Sequence, residues 1–221
     1  MYNKHKGGVY MEPFLAPYQY HFLKSQGVKL VSARTSSTDT NVINAVRGIV
    51  EESIFYQFQH CAKEEMQLVE RMNAVKDERE IEQILAELHP FIIPFQTTEN
   101  QIKKLFPKVK KLKVPDLDHM DTKQITYLTW WDPGTHKKFI VTVRDGKQWG
   151  VHGTFHKEAQ KGICSICGQH EETGLFLVER KGKEIGTYKK KGNYICSDGE
   201  ACNQNLTRLD KLDEFLARLS R

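Results

Sequence analysis

The chain has 221 residues, of which 39% are hydrophobic and 28% charged. That balance suits one large or two small globular domains and is too apolar for a disordered chain. No apolar run approaches the roughly 20 residues of a membrane-spanning helix, and the polar start of the chain lacks a signal-peptide core, so a cytoplasmic protein without a membrane partner is expected. The net charge of +5 is divided unevenly, with 10 Lys and Arg against 13 Asp and Glu in residues 1–100 but 23 against 15 in residues 101–221. A basic second half suits an acidic partner surface, protein or nucleic acid.

Residues 1–13 read as a leader or tail. From 14 to 95 the pattern is helical. Tyr18 to Arg34 carries Phe22, Leu23, Val28, Leu30 and Val31 near helical spacing, and Ser36–Asp39 then supplies turn and N-cap chemistry. A second helix is predicted through Val42, Ile43, Val46, Ile49, Val50, Ile54 and Phe58, whose spacing paints one face. A third spans Ala62 to Val75, and a fourth, capped by Asp77, carries Ile81, Ile84, Leu85 and Leu88 until Pro90 and Pro94 end the pattern. Four amphipathic helices with short connections predict an antiparallel bundle. The lone Cys61 reads as a buried core residue.

The remainder, 96–221, changes character. A short fifth helix fits Thr98 to Phe106. The lysine-alternating stretch Lys108 to Pro115 has a period near two and predicts an edge strand or extended linker. Ile125 to Trp131, Lys138 to Arg144 and Trp149 to Phe155 read as strands, separated by the turn signals Asp132-Pro-Gly134 and Asp145-Gly146. A further hairpin, Leu175 to Glu179 with Ile185 to Tyr188, is expected around Lys181-Gly182.

Four of the five cysteines fall in the last sixty or so residues. Cys164 and Cys167 lie in Gly-Ile-Cys-Ser-Ile-Cys-Gly, a knuckle whose turn aims two sulfurs at one ion. Cys196 and Cys202 are separated by a wider step, the second entering a helix that carries Leu206, Leu209, Leu212, Phe215, Leu216 and Leu219. Knuckle, hairpin, cysteine at a strand end and cysteine in a helix is the order of a treble-clef finger. Four thiolates would close a tetrahedral structural zinc site. His170 is an alternative to one sulfur; free thiols or a disulfide are the competing possibilities, which a cytoplasmic context disfavours. The fold class expected is therefore α+β: a helical bundle over 14–95, then a small α/β domain over 96–221 with its finger at 162–221.

Catalytic motifs are missing. No phosphate loop, dinucleotide fingerprint, nucleophile elbow or His-Glu-x-x-His is present, and four thiolates leave no open position for water. No enzymatic activity is expected. Lys189, Lys190 and Lys191, between Tyr188 and Tyr194, stand out instead: rigid aromatics amid positive charge are typical of an interface, and lysine without arginine suits an acidic surface.

Pro17-Tyr-Gln-Tyr20, Pro90-Phe-Ile-Ile-Pro-Phe95, Phe106-Pro-Lys-Val-Lys-Lys-Leu-Lys-Val-Pro115, Gly162-Ile-Cys-Ser-Ile-Cys167 and Lys190-Lys-Gly-Asn-Tyr-Ile-Cys196 with Cys202-Asn203 resemble the FusB-type fusidic acid resistance proteins, or elongation factor G-binding proteins. The step from Cys196 to Cys202 is similar to the family's own spacing. The resemblance implies one structural zinc ion and a finger domain that binds elongation factor G and promotes its release from a drug-stalled ribosome. It also implies contacts at Lys191, Tyr194 and Phe215, with Lys189 and Lys190 beside them, and a monomer. A zinc finger that binds ribosomal RNA directly is the alternative, and a weak RNA contact a further expectation.

Overall fold

The computed structural model describes residues 11–144, 146–181, 184 and 187–220. It divides into two compact units, one built on Leu23–Ile93 with the segment ending at Ala16, the other on Pro17–Phe22 with Pro94–Arg221. The expected leader, Asp145, Gly182 and Ile185 lie wholly or mainly outside the described residues.

The first helix, α1 (Pro17–Ser36), starts on a proline, whose missing N–H costs nothing there, and its part from Leu23 onward belongs to the first unit. Its buried face runs through Leu23, Gly27 and Leu30, not through the expected Val28, which is 47% exposed. Gly27 belongs to that face because a Cβ there would stand 2.7 Å from the Met72 sulfur and 3.0 Å from Ile81 Cγ1. α2 (Thr40–Phe58) is capped by the Asp39 carboxylate, which accepts the Asn41 N–H at 2.8 Å. Only Val50, Ile54 and Phe58 of its predicted stripe are buried. α3 (Lys63–Glu70) tightens into a 3-10 turn at Arg71–Ala74. α4 (Glu78–Leu88) is capped as predicted by Asp77, which accepts the Glu80 N–H at 2.9 Å, and buries Ile81, Ile84, Leu85 and Leu88. After a 3-10 turn at His89–Phe91, Ile92 pairs with Leu15 in a parallel bridge. Cys61 is half-buried in the turn after α2, not a core residue; partial burial and Glu65 push its thiol up.

The second unit centres on one antiparallel sheet in the order β1-β2-β3-β4-β5: β1 (Leu128–Asp132), β2 (Lys137–Arg144), β3 (Lys147–Ile163), β4 (His170–Lys181) and β5 (Tyr188–Cys196). Asp132 builds the first turn as predicted, its carboxylate accepting from the Gly134 N–H at 3.0 Å and the Thr135 hydroxyl at 2.8 Å. Side chains alternate across the sheet. Ile140 enters one core with Val151, Phe155, Phe176 and Ile195. Phe139 and Val141 enter the other, with Ile102 and Phe106. α5 (Glu99–Leu105), capped by Thr98, lies over this second core.

Of the two expectations for the lysine-rich stretch, the edge strand is not formed. Lys108, Lys110 and Lys111 lie in turns and residues 112–116 have no regular structure, with Lys111 at φ 54°. Val109, Leu112 and Val114 still pack inward against the second core, so the alternation anchors a loop. The terminal helix is also two pieces, α6 (Gly199–Asn205) and α7 (Asp210–Ser220). Leu206 ends α6 while remaining buried, which lets α7 turn Leu212, Phe215, Leu216 and Leu219 into the first core.

Candidate metal centre and partner surface

Cys164 and Cys167 follow directly on β3, Cys196 ends β5, and Cys202 lies within α6. The knuckle closes through Gly168, whose N–H donates to the Cys164 carbonyl at 2.9 Å. Its φ of +76° falls where only glycine sits without strain, and a Cβ would strike the Lys211 ammonium. All four sulfurs are buried and lie within 4.8 Å of one another. The pairs Cys164–Cys202 and Cys167–Cys196 are each 3.7 Å apart. Four sulfurs at about 2.3 Å from a tetrahedral zinc stand about 3.8 Å apart, so the set fits one structural zinc ion. Backbone N–H groups of Ile166 and Cys196 donate to the Cys164 sulfur at 3.3 Å each. Among the described residues His170 is not part of this cluster.

Sharing of protons shapes the four thiols. Hydrogen bonds from Cys167, Cys196 and Cys202 hold the Cys164 thiol far below the ordinary range. Those same bonds push Cys196 and Cys202 up. Four thiolates so close together need a divalent cation to coexist; when bound, the zinc ion supplies a cross-link and no reaction, because the donor set leaves it closed.

Three residues around the cluster have roles that the sequence pattern did not show. Tyr127, 2% exposed, packs in the same core as the four cysteines, and burial, reinforced by Cys202 and its neighbouring cysteines, pushes its phenol well up. Asn203 fixes Tyr127 there. Its Oδ1 accepts the N–H of Thr126 at 2.7 Å and of Tyr127 at 3.2 Å, and its Nδ2 donates to the carbonyls of Tyr127 at 3.0 Å and Gly199 at 2.9 Å. Lys138 on β2 is 2% exposed. Its ammonium donates to the carbonyls of Cys196 at 3.0 Å and Ser197 at 2.8 Å, 4.6 Å from the Phe155 ring centroid. Burial lowers its pKa to about 8 against the opposing pull of the cysteines and Asp198. A positive charge here offsets the excess negative charge of four thiolates on one dication. In sequence, Lys138 shows only as a polar interruption at the head of an apolar strand.

The expected partner residues do not share one face. Lys189, Lys190 and Lys191 lie within β5, opposite Arg180, Glu179 and Val178, on the outer strand of the sheet. Gly192 keeps that pairing close, since a Cβ there would collide with the Phe176 carbonyl. Lys191 shares the face of the buried Ile195, whereas Tyr194 takes the opposite face beside Leu175. Tyr194 is 39% exposed, and Glu158, through its charge and a hydrogen bond, raises its phenol. Phe215 is 4% exposed and packs on Phe176, ring centroids 6.1 Å apart. It reaches the surface only as a wall of a cavity of about 210 Å³ shared with Ile163, Lys211, Glu214 and Arg218. A surface using all three would therefore wrap the β5 edge.

A helical region followed by an antiparallel sheet that ends in a closed four-cysteine treble clef defines a zinc-finger protein. Residues 14–96 match the family described as elongation factor G-binding protein, N-terminal, and residues 104–218 match the FBP C-terminal treble-clef zinc-finger. The chain belongs to the FusB-type family of elongation factor G-binding proteins. It is similar to a solved structure described as the fusidic acid resistance protein FusC, with 31% identity, a TM-score of 0.77, and coverage of 93% of this chain and 97% of that one. A search of curated proteins found no match.

Proposed function

We propose that this protein binds elongation factor G through its zinc-finger unit, holding zinc on Cys164, Cys167, Cys196 and Cys202, and promotes the factor's release from a ribosome on which fusidic acid has trapped it. Family membership across both regions supports the partner, and likeness to a fusidic acid resistance protein over nearly the whole chain supports the context. The observation that carries the role of the finger is the pinned end of β5. Cys196 closes that strand in the zinc cluster, and the Ser165 N–H donates to the Tyr194 carbonyl at 2.9 Å. The exposed Lys189, Lys190 and Tyr194 thus stand on a rigid sheet edge, which limits the entropy lost on docking.

Binding alone suffices as mechanism. A partner that favours the released conformation of the factor shifts its equilibrium by the difference in its affinities, about 1.4 kcal/mol per tenfold. The protein acts in the cytoplasm as a monomer and leaves the drug unmodified.

Calorimetric titration into purified elongation factor G tests this. One-to-one saturation that survives moderate salt is expected, with Lys191→Ala and Tyr194→Ala each weakening affinity tenfold or more at unchanged zinc content. No heat of binding with zinc retained would overturn the proposal. For release, labelled factor stalled on ribosomes by fusidic acid should dissociate faster when the protein is added.

A further inference from the structure

A second basic surface lies away from the finger, on the other side of the sheet order. Six lysines fall between 103 and 113 with no acidic residue among them. All six are exposed. Lys103 pairs with Glu99 at 2.6 Å, and Lys113 is near enough to Asp132, at the end of β1, to help lower its carboxyl. Lys104, Lys108, Lys110 and Lys111 have no carboxylate within 4.0 Å among the described residues. The charge is carried on a fixed scaffold. Val109, Leu112 and Val114 pack into the second core beside Phe106 and Leu128, and the Val109 N–H donates to the Phe106 carbonyl at 3.0 Å. Concentrating like charge costs stability, and among the described residues no ion pair offsets it at Lys104, Lys108, Lys110 or Lys111.

We propose that Lys104, Lys108, Lys110, Lys111 and Lys113 form a ridge that binds the phosphate backbone of folded RNA, independently of the β5 edge that the proposed function assigns to elongation factor G. The choice of RNA over an acidic protein follows from what the ridge lacks. No large hydrophobic residue between Ile93 and Trp131 is exposed, so the ridge offers none of the apolar anchors on which protein interfaces depend. Phosphate contacts need only positive charge. RNA rather than DNA as the source rests on the proposed place of action at the ribosome. Val109, Leu112 and Val114 pack in the same core as Leu128 of β1, and Lys104 lies by Lys147 and Gln148 at the start of β3. The finger contacts lie on β5 at the far edge of the sheet, so one protein could hold RNA and the factor together.

Fluorescence anisotropy of the full zinc-loaded chain with a labelled 20-base-pair RNA duplex (about two helical turns) tests this across salt. Binding should weaken about 100-fold between 50 and 200 mM salt, as roughly four phosphate contacts require. Replacing Lys108, Lys110, Lys111 and Lys113 with Gln should flatten that salt dependence and cost tenfold or more at low salt, while Arg at the same positions restores binding. Gln at Lys189, Lys190 and Lys191 should leave RNA binding unchanged. Zinc content and melting temperature verify that each variant is folded. No RNA binding at 50 mM salt, binding unchanged in the ridge variant, or binding abolished by the β5 variant each overturns the ridge. Parallel calorimetry separates the two proposals: if the ridge variant loses elongation factor G while the wild type ignores RNA, the ridge is a protein contact. If the wild type binds RNA but not the factor, the finger proposal fails and the ridge stands.

Discussion

Among the described residues, the five buried polar or charged side chains are His21, Lys138, Thr142, Thr173 and Asn203, and all belong to the second unit. The first unit has none; its interior is Leu23, Leu30, Ile54, Phe58, Met72, Leu85, Leu88 and their apolar neighbours. The helical unit is held mainly by non-directional burial: Asp39 and Asp77 cap helices, and the buried side-chain oxygens of Gln26 and Asn73 have no hydrogen-bond partner among the described residues. The finger unit places cysteines, a lysine, a tyrosine and an asparagine inside, where each needs a partner in a fixed direction. Apolar packing tolerates substitution of similar volume. A directed polar cluster does not, and that difference says where each unit should fail.

The largest effect is expected from Cys167→Ser. Loss of one sulfur should release zinc, whose binding to finger peptides is worth roughly 10–16 kcal/mol. The second unit should then lose its near-ultraviolet signal while far-ultraviolet helicity of the first persists. Simultaneous collapse of both would show that the two do not differ as described. Chelation of the wild type should reproduce the result, with free zinc quantified by a colorimetric indicator.

Next in size is Ile54→Ala. The side chain is fully buried, and truncation should cost about 2–5 kcal/mol, seen as a lower urea midpoint for the helical transition at unchanged zinc content. Lys138→Met sharpens the contrast in the other unit. The stem keeps its volume, but the carbonyls of Cys196 and Ser197 lose a charged donor, which should cost about 2–3 kcal/mol and weaken zinc affinity tenfold or more. A Met variant as stable as wild type would mean that burying the ammonium cancels its hydrogen bonds.

The same contrast explains what could be read in the sequence. Helix positions, the caps Asp39 and Asp77, and the four clustered cysteines follow from local patterns: periodicity, capping chemistry and spacing. Tyr127 and Lys138 did not emerge, and Asn203 did so only as part of a family motif without a role, because each depends on contacts across tens of residues. A buried lysine leaves the same mark in one sequence as an exposed one. The step from Cys196 to Cys202 was legible only through family resemblance, since its capped helix entry at Asp198 is a property of the fold. The lysine stretch has the period of a strand, yet a loop satisfies the same alternation once Val109, Leu112 and Val114 find the core.

Within α2 the sequence pattern failed for a different reason, and the smallest predicted effect follows from it. Val42, Ile49 and Tyr56 recur every seven residues on a face that is 45%, 50% and 74% exposed, while Val50, Ile54 and Phe58 occupy the buried one. Both sets have helical spacing, so periodicity cannot say which faces inward; only the packing of the other helices decides. Ile49→Ala should therefore change stability by no more than about 0.5 kcal/mol, since little buried area is lost and alanine's better helix propensity offsets it. Urea denaturation beside Ile54→Ala makes the comparison internal to one helix and one residue type. Equal losses at the two positions would mean that the second face of α2 is covered in solution.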